Sequence, residues 1–289
     1  MFKLILSTMR PSDWIKNLFV FAPLLFSQNL LNVRLFLYAL SASLIFCLAS
    51  GSIYIINDIK DRDEDRSHPT KAHRPIASQS LSVKNATVAA FALHVVCLTF
   101  SWFICPVFMI IVISYLLLHI LYSCFLKKVV VLDVMVIAVG FIFRVLAGSA
   151  AIRVQTSHWL ILCTAQIALF LALAKRRQEA IVQGDHFKET GRNSFSYKPY
   201  FIDQMISVVI TSTLMSYALY TVSDKTIANL GTMNLIYTIP FVVYGMFRYL
   251  YLIHEKKDTA DSTRIIIKDR PMILNLILWL SVVILTLYT

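Results

Sequence analysis

The segment Asn57-Asp58-Ile59-Lys60-Asp61-Arg62-Asp63-Glu64-Asp65 decides how this chain is read. It follows an apolar run ending at Ile53–Ile56, so a group of carboxylates stands where hydrocarbon gives way to water. If a helix continues out of that run, Asp58, Asp61 and Asp65 fall at i, i+3 and i+7. Asn57, Asp61 and Asp65 then fall at i, i+4 and i+8, and the four side chains share one broad face. Hard oxygen donors on one face suit Mg²⁺, which takes one or two carboxylates and fills its shell with waters and substrate phosphates. Five cations are interleaved or follow closely: Lys60, Arg62, Arg66, Lys71 and Arg74. Acids to hold a metal beside bases to hold phosphate make a diphosphate site. The competing reading is a solvated loop of mixed charge, the usual fate of a charge run.

Composition extends the argument to the rest of the chain. Of 289 residues 58% are hydrophobic and the mean hydropathy is +0.69, beyond the roughly half-apolar make-up of a soluble domain. Stretches near the ~20 residues that a bilayer requires run over 15–30, 34–56, 83–103, 105–123, 131–151, 157–174, 204–222, 232–253 and 271–288. They predict an all-α polytopic membrane protein of nine transmembrane helices, one domain over 1–289, with no room for a soluble one. Pro106, directly after Cys105, predicts a tight hairpin between the third and fourth spans. Met1–Arg10 has too short an apolar core, and no small-residue cleavage site, for a removable signal peptide.

Lys and Arg set the orientation. With the N-terminus in the cytoplasm, 22 of them fall on the cytoplasmic side and three, Arg34, Arg153 and Lys225, on the other. That is the asymmetry expected of a cytoplasmic (inner) membrane protein. The net charge of +11 then belongs to one face and calls for no nucleic acid, for which there is no motif. The acidic segment, the Lys127–Lys128 turn and the Lys175–Arg177 cluster lie on alternate connections, so they are expected to face one cytoplasmic cavity. The cytoplasmic loops are 57–82, 175–203 and 254–270, the last two long enough to act as lids. The five cysteines (Cys47, Cys97, Cys105, Cys124, Cys163) form no CxxC, and there is no HExxH. Zinc, haem and disulfide chemistry are therefore not expected.

Arg144 is the second informative residue, near the middle of the fifth span in Gly140-Phe-Ile-Phe-Arg144-Val-Leu-Ala-Gly148. An arginine inside a span faces a cavity or a function by default, and the two glycines let neighbouring helices approach or leave a pocket. Asp133, eleven residues earlier, shares its face but lies about 16 Å away along the axis, too far for a direct ion pair. The alternative is a structural arginine held by backbone carbonyls. Tyr54 precedes Asn57 by one turn and would cap the acid face from the membrane side, unless it is an interfacial belt residue. Lys16 is a snorkelling anchor or reaches the same mouth; Tyr122 and Lys127 are similar cases.

These residues resemble the UbiA superfamily of intramembrane prenyltransferases. The likeness rests on Arg10-Pro11-x-x-Trp14-x-Lys16-Asn17 and Tyr54-x-x-Asn57-Asp58-x-x-Asp61-x-x-x-Asp65. It continues through His68-Pro69-Thr70-Lys71-x-x-Arg74-Pro75-Ile76-Ala77 and Tyr122-Ser123-x-x-Leu126-Lys127. Leu132-Asp133-Val134, Gly140-Phe141-x-x-Arg144-x-x-Ala147-Gly148 and Lys175-Arg176-Arg177-x-Glu179 complete it. Within the superfamily the chain is similar to the decaprenyl-phosphate phosphoribosyltransferase group. Aromatic prenyltransferases carry a second Asp-rich motif between spans 6 and 7; here that place reads Ala174-Lys175-Arg176-Arg177-Gln178-Glu179. Cations in place of acids suit a donor with an extra phosphate.

The resemblance implies a nine-helix UbiA-like fold around a cytoplasmic cavity. It implies Mg²⁺-dependent transfer of 5-phosphoribosyl from phosphoribosyl pyrophosphate to a polyprenyl (decaprenyl-type) phosphate, with diphosphate released, on a route to cell-envelope glycans. Asn57, Asp58, Asp61 and Asp65 are the expected metal ligands, and Asp58, Asp61, Lys127 and Arg144 the expected catalytic group. Lys16, Tyr54, Lys71, Arg74, Tyr122, Lys127, Lys128, Arg144, Lys175, Arg176 and Arg177 are the expected substrate contacts. The rival within enzymes is prenyl transfer from a prenyl diphosphate to an aromatic acceptor. A transporter or lipid flippase would show charged groups towards both faces or inverted repeats, and the sequence has neither.

Overall fold

A computed structural model describes residues 1–67, 71–190, 198–255, 266 and 268–288, with only the helical backbone described over 182–190 and at 255. His68-Pro69-Thr70 and large parts of the two expected lids, 175–203 and 254–270, lie outside the described residues. All regular structure among the described residues is helical, in two compact units: Met1–Leu25 with Asn29–Thr156, and Phe26–Gln28 with Ser157–Thr289.

The first unit contains α1 (Phe2–Thr8), a 3₁₀ segment (Pro11–Phe21), α3 (Val33–Lys60), α4 (Arg62–Arg66), α5 (Val83–Ile104), α6 (Pro106–Cys124), a 3₁₀ turn (Leu126–Lys128) and α7 (Leu132–Ile152). The short α2 (Ala22–Phe26) follows the first 3₁₀ segment. The second unit holds α8 (His158–Thr190), α9 (Pro199–Val222), α10 (Asp224–Leu230), a 3₁₀ turn (Asn234–Thr238), α11 (Ile239–Glu255) and α12 (Arg270–Tyr288). Eight helices of the described residues are long and apolar enough to cross a bilayer.

The expected first span, 15–30, is the exception. It divides between the 3₁₀ segment and the five residues of α2, neither of which crosses a bilayer as an α-helix. Pro23 explains part of this, since it lacks the N–H that an α-helix running over 15–30 would need in its interior. Side-chain demand explains the rest: Asp13, Asn17 and Val20 of the 3₁₀ segment are all buried. A 3₁₀ run of this length is uncommon and is held here from outside, by α3 and α7.

α3 is the most buried of the membrane-length helices, with α7 next. Its middle is lined by Ala39, Ala42, Ser43, Ala49, Ser50, Gly51 and Ser52, all buried. Small side chains let backbones approach on every side, which is how helices pack where no hydrophobic effect drives them together. The serines return their hydroxyls to their own helix: Ser50 donates to Phe46 O at 2.7 Å and Ser52 to Ala49 O at 2.7 Å. Ile45, Phe46 and Ile53 of α3 pack with Phe108, Val112, Tyr115 and Leu116 of α6 and Ala147 and Ala151 of α7. Phe91, Phe100 and Phe103 of α5 remain exposed, the pattern of a face that meets hydrocarbon.

The Cys105–Pro106 hairpin forms as read. Cys105 is extended (φ −171°, ψ 158°) and caps α6, its Sγ accepting from Phe108 N at 3.4 Å. Pro106 takes the first helical position, where no N–H is required. Because α3, α5, α6 and α7 alternate in direction, the 61–82 connection and the 125–131 turn lie at one end of this unit.

Candidate active site

α3 carries the acidic segment out of the core without losing its face. Asp61 caps the helix (φ −88°, ψ 6°); its N–H still donates to Asn57 O at 2.8 Å, and Asp65 N–H donates to Asp61 O at 2.8 Å. The helical turn therefore continues through the cap into α4. Asp58 and Asp65 are buried, at 2% and 4% exposure, whereas Asp63 and Glu64 face solvent. The segment is thus amphipathic, with one side turned inward. On the outer side Arg62 Nε bonds Asp63 at 3.1 Å, and that hydrogen bond holds the Asp63 carboxyl below the usual carboxylate range.

Each inward acid has a cation from elsewhere in the sequence. Arg10 Nη2 meets Asp58 Oδ1 at 2.5 Å. Arg74 Nη1 lies between Asp58 Oδ1 at 3.2 Å and Asp65 Oδ2 at 2.7 Å. Lys127 pairs with Asp61, and the Ser123 hydroxyl donates to Asn57 Oδ1. The guanidinium of Arg10 also sits 4.8 Å from the centre of the Tyr54 ring, so Tyr54 forms the membrane-side wall of the acid face, one turn below Asp58. Arg10 is placed by a left-handed backbone (φ 52°), which costs a non-glycine residue about 1–2 kcal/mol and turns the chain from α1 into the 3₁₀ segment. Arg74 is placed by a turn whose Ile76, Ala77 and Leu81 are buried, tied to α4 by Arg66 Nε donating to Ala77 O at 3.1 Å.

Deeper in the unit, Arg144 is buried at 6% exposure. It donates from Nε to Asn17 Oδ1 at 2.8 Å, from Nη1 to Gly140 O at 2.8 Å and from Nη2 to Tyr115 OH at 3.1 Å. Its guanidinium lies 5.1–5.9 Å from the ring centres of Tyr115, Phe141 and Phe46. Asn17 in turn donates to Cys47 Sγ at 3.2 Å and Ser50 Oγ at 3.4 Å, and its carbonyl accepts from Ser43 Oγ at 3.4 Å. The two glycines flanking Arg144 make this possible. A Cβ on Gly148 would stand 2.0 Å from Val20 O, and one on Gly140 would stand 2.6 Å from His119 Nε2. Tyr115, His119 and Ser123 recur every fourth residue along α6, so a column of polar side chains runs from Arg144 up to Asn57. The His119 Nε2 atom is buried in that column and has no hydrogen-bond partner among the described residues.

The other expected contacts are distributed more widely. Lys16 binds Asp13 at 2.6 Å, within its own segment. Lys71 is half-buried at the start of the turn that carries Arg74, and Tyr122 meets His119 edge-on with ring centres 6.3 Å apart. Lys128 is exposed. Lys175, Arg176 and Arg177 lie on α8 of the second unit. There Arg177 is buried, bonding Asp203 at 2.6 Å and Ile253 O at 3.0 Å, and Arg176 meets Glu179 at 2.5 Å. Sequence reasoning passed over Arg10, Asn17, Tyr115 and Ser123 as site residues. Arg10, Asn17 and Ser123 stand in the quoted motifs, which was the available signal. Tyr115 had none, being one of 13 tyrosines.

Mg²⁺ suits this donor set. Asn57, Asp58, Asp61 and Asp65 offer hard oxygens only, and one cationic nitrogen of Arg74 already stands between two of the carboxylates. No group of three or more acidic, histidine or cysteine side chains converges among the described residues. An ion that takes one or two carboxylates and finishes its shell with phosphate needs no more.

The comparisons with known proteins agree with this architecture. A "decaprenyl-phosphate phosphoribosyltransferase" of Mycolicibacterium smegmatis is 29% identical, over 96% of this chain and 91% of that protein. One of Mycobacterium tuberculosis is 27% identical, over 96% and 92%. Among solved structures, a UbiA homologue from Archaeoglobus fulgidus bound to DMAPP and Mg²⁺ superposes with a TM-score of 0.72 at 17% identity, covering 98% of each chain. The same protein bound to GPP and Mg²⁺ gives 0.70 at 18% identity, over 99% of this chain and 100% of that one. These structures share the fold. The match to the UbiA prenyltransferase family runs from residue 18 to residue 286, through both units; this multi-pass membrane transferase belongs to that family.

Proposed function

We propose that the chain transfers the 5-phosphoribosyl group of phosphoribosyl pyrophosphate to a polyprenyl phosphate, releasing diphosphate, on the cytoplasmic side of the inner membrane. The observation that carries this reading is the gathering of three paired acids and their cations at the end of α3. Relatives named for this activity align along almost the whole chain and support it. The whole sequence acts as one membrane domain.

Asn57 and Asp61, with Asp58 and Asp65, would hold Mg²⁺. When bound, the ion supplies positive charge to the departing diphosphate. Arg74 and Lys71 hold phosphate oxygens, Arg74 with a fork that can engage two at once. Lys127 and Lys128, on the turn before α7, hold phosphate oxygens of the donor or of the lipid. An oxygen of that phosphate forms the new bond to ribosyl C1 as the C1–O bond to diphosphate breaks, and the diphosphate leaves with the bonding pair. The acceptor is already an anion, so no general base is required. Arg144 lies deeper and acts through Asn17 and Tyr115 on the walls of the site. Most of the acceleration comes from positioning and charge.

Prenyl transfer to a small acceptor is the second reading, favoured by the prenyl diphosphates in the solved relatives. Purified protein with Mg²⁺ is offered phosphoribosyl pyrophosphate and polyprenyl phosphates, or a prenyl diphosphate and an aromatic acceptor, and the products are weighed. A phosphoribosylated lipid phosphate is expected. Prenylated acceptor alone overturns the first reading.

A further inference from the structure

Three acids and three cations meet at the end of α3, and every inward carboxylate is already engaged. Asp58 binds Arg10 and Arg74, Asp65 binds Arg74, and Asp61 binds Lys127. These six side chains are charge-balanced, and none is fully exposed: the cations keep 23–27% of their side-chain surface. The arrangement resists either ligand arriving alone. A divalent cation by itself must displace guanidinium or ammonium groups and leaves them unpaired beside it, in a partly desolvated place where repulsion is strong. A diphosphate by itself brings its charge next to carboxylates. Together the divalent ion offsets part of the diphosphate's charge, and the displaced cations meet the remaining negative charge with phosphate oxygens as new partners.

We propose that Arg10, Arg74 and Lys127 are exchangeable counter-ions of the acid face, so that the metal ion and the diphosphate bind as a coupled pair. Arg10 is thereby a further diphosphate-binding residue. On arrival of both ions, Arg10 moves from Asp58 to phosphate over the Tyr54 ring, Arg74 releases Asp58 and Asp65, and Lys127 releases Asp61. The inference rests on the reading of this site as a metal–diphosphate site, and holds for a phosphoribosyl or a prenyl donor alike. Coupling is reciprocal, so each ion tightens the other by one factor, which for coupled sites is commonly about 5–150-fold.

The test uses the full chain in detergent, with Mn²⁺ and inorganic pyrophosphate as probes and free Mn²⁺ held by a buffer. Bound Mn²⁺ is read by its paramagnetic resonance signal and bound pyrophosphate by radiolabel. In the wild type each probe is expected to bind at least about tenfold tighter in the presence of the other. In Arg10→Gln and in Lys127→Gln, Mn²⁺ alone is expected to bind several-fold tighter, because a competitor is gone, while the gain from pyrophosphate shrinks. Thermal melting confirms that each variant is folded, and one folded variant suffices. Mn²⁺ affinity that ignores pyrophosphate in the wild type overturns the proposal, as does weaker binding of Mn²⁺ alone in a folded variant. Coupling without phosphoribosyl transfer would leave this inference standing and remove only the assignment of substrate.

Discussion

The Arg144 guanidinium and the Asn17 carboxamide meet at 2.8 Å inside the first unit, joining α7 to a 3₁₀ segment 127 residues earlier in the chain. Asn17 is held at the same time by α3 through Cys47, Ser50 and Ser43. The 3₁₀ segment begins at Pro11, directly after Arg10. What fixes Asn17 therefore also fixes where Arg10 reaches Asp58.

Arg144→Lys should cost about 1–3 kcal/mol, because a single ammonium cannot serve Asn17, Gly140 O and Tyr115 from one position and leaves buried partners unsatisfied. Asn17→Ala should cost a similar amount, and the double variant clearly less than the sum. A thermodynamic cycle from unfolding in detergent reads this directly. Strict additivity would show that the two residues act independently.

Asp61→Asn should remove turnover and leave the fold intact, since Asp61 is half-buried at a helix cap and the backbone bonds that continue the helix through it do not involve its side chain. Transferase assays across a Mg²⁺ titration check this. Activity restored at saturating Mg²⁺ would take Asp61 out of the ligand set.

Gly148→Ala should destabilise by more than the usual 1–3 kcal/mol of an overpacked site. The new methyl would collide with a backbone carbonyl, Val20 O at 2.0 Å, rather than with a side chain able to turn away. A lowered Tm together with lost activity is expected; an unchanged Tm would mean that the 3₁₀ segment does not press on α7.

Asp63→Asn should be nearly silent. Its bond to Arg62 is solvent-exposed, and water and salt screen such a pair until it adds little to stability. The depressed carboxyl pKa means that what stability the pair adds is present above the ordinary carboxylate range and is lost only as pH falls through the lowered value. Asp65→Asn, two residues on, should instead impair activity strongly, because it loosens Arg74. Paired assays at neutral pH separate the two, and equal losses would contradict the inward and outward assignment.

Much of this protein was decided by sequence alone. Hydropathy and length identify eight helices that are there, because a bilayer leaves the backbone no other way to satisfy its hydrogen bonds. The spacing of Asn57, Asp58, Asp61 and Asp65 puts them on one face, because a helical turn is set by local geometry. Arg144 is conspicuous for its cost in hydrocarbon. Tertiary structure alone decided the partners. A periodicity argument sees only neighbours within a turn or two, whereas Arg10 reaches Asp58 over 48 residues, Lys127 reaches Asp61 over 66 and Arg144 reaches Asn17 over 127. It also decided that 15–30 is not a spanning helix. An apolar stretch of sufficient length reads as a span, and nothing local reveals that Asn17 and Val20 will be claimed by α3 and α7.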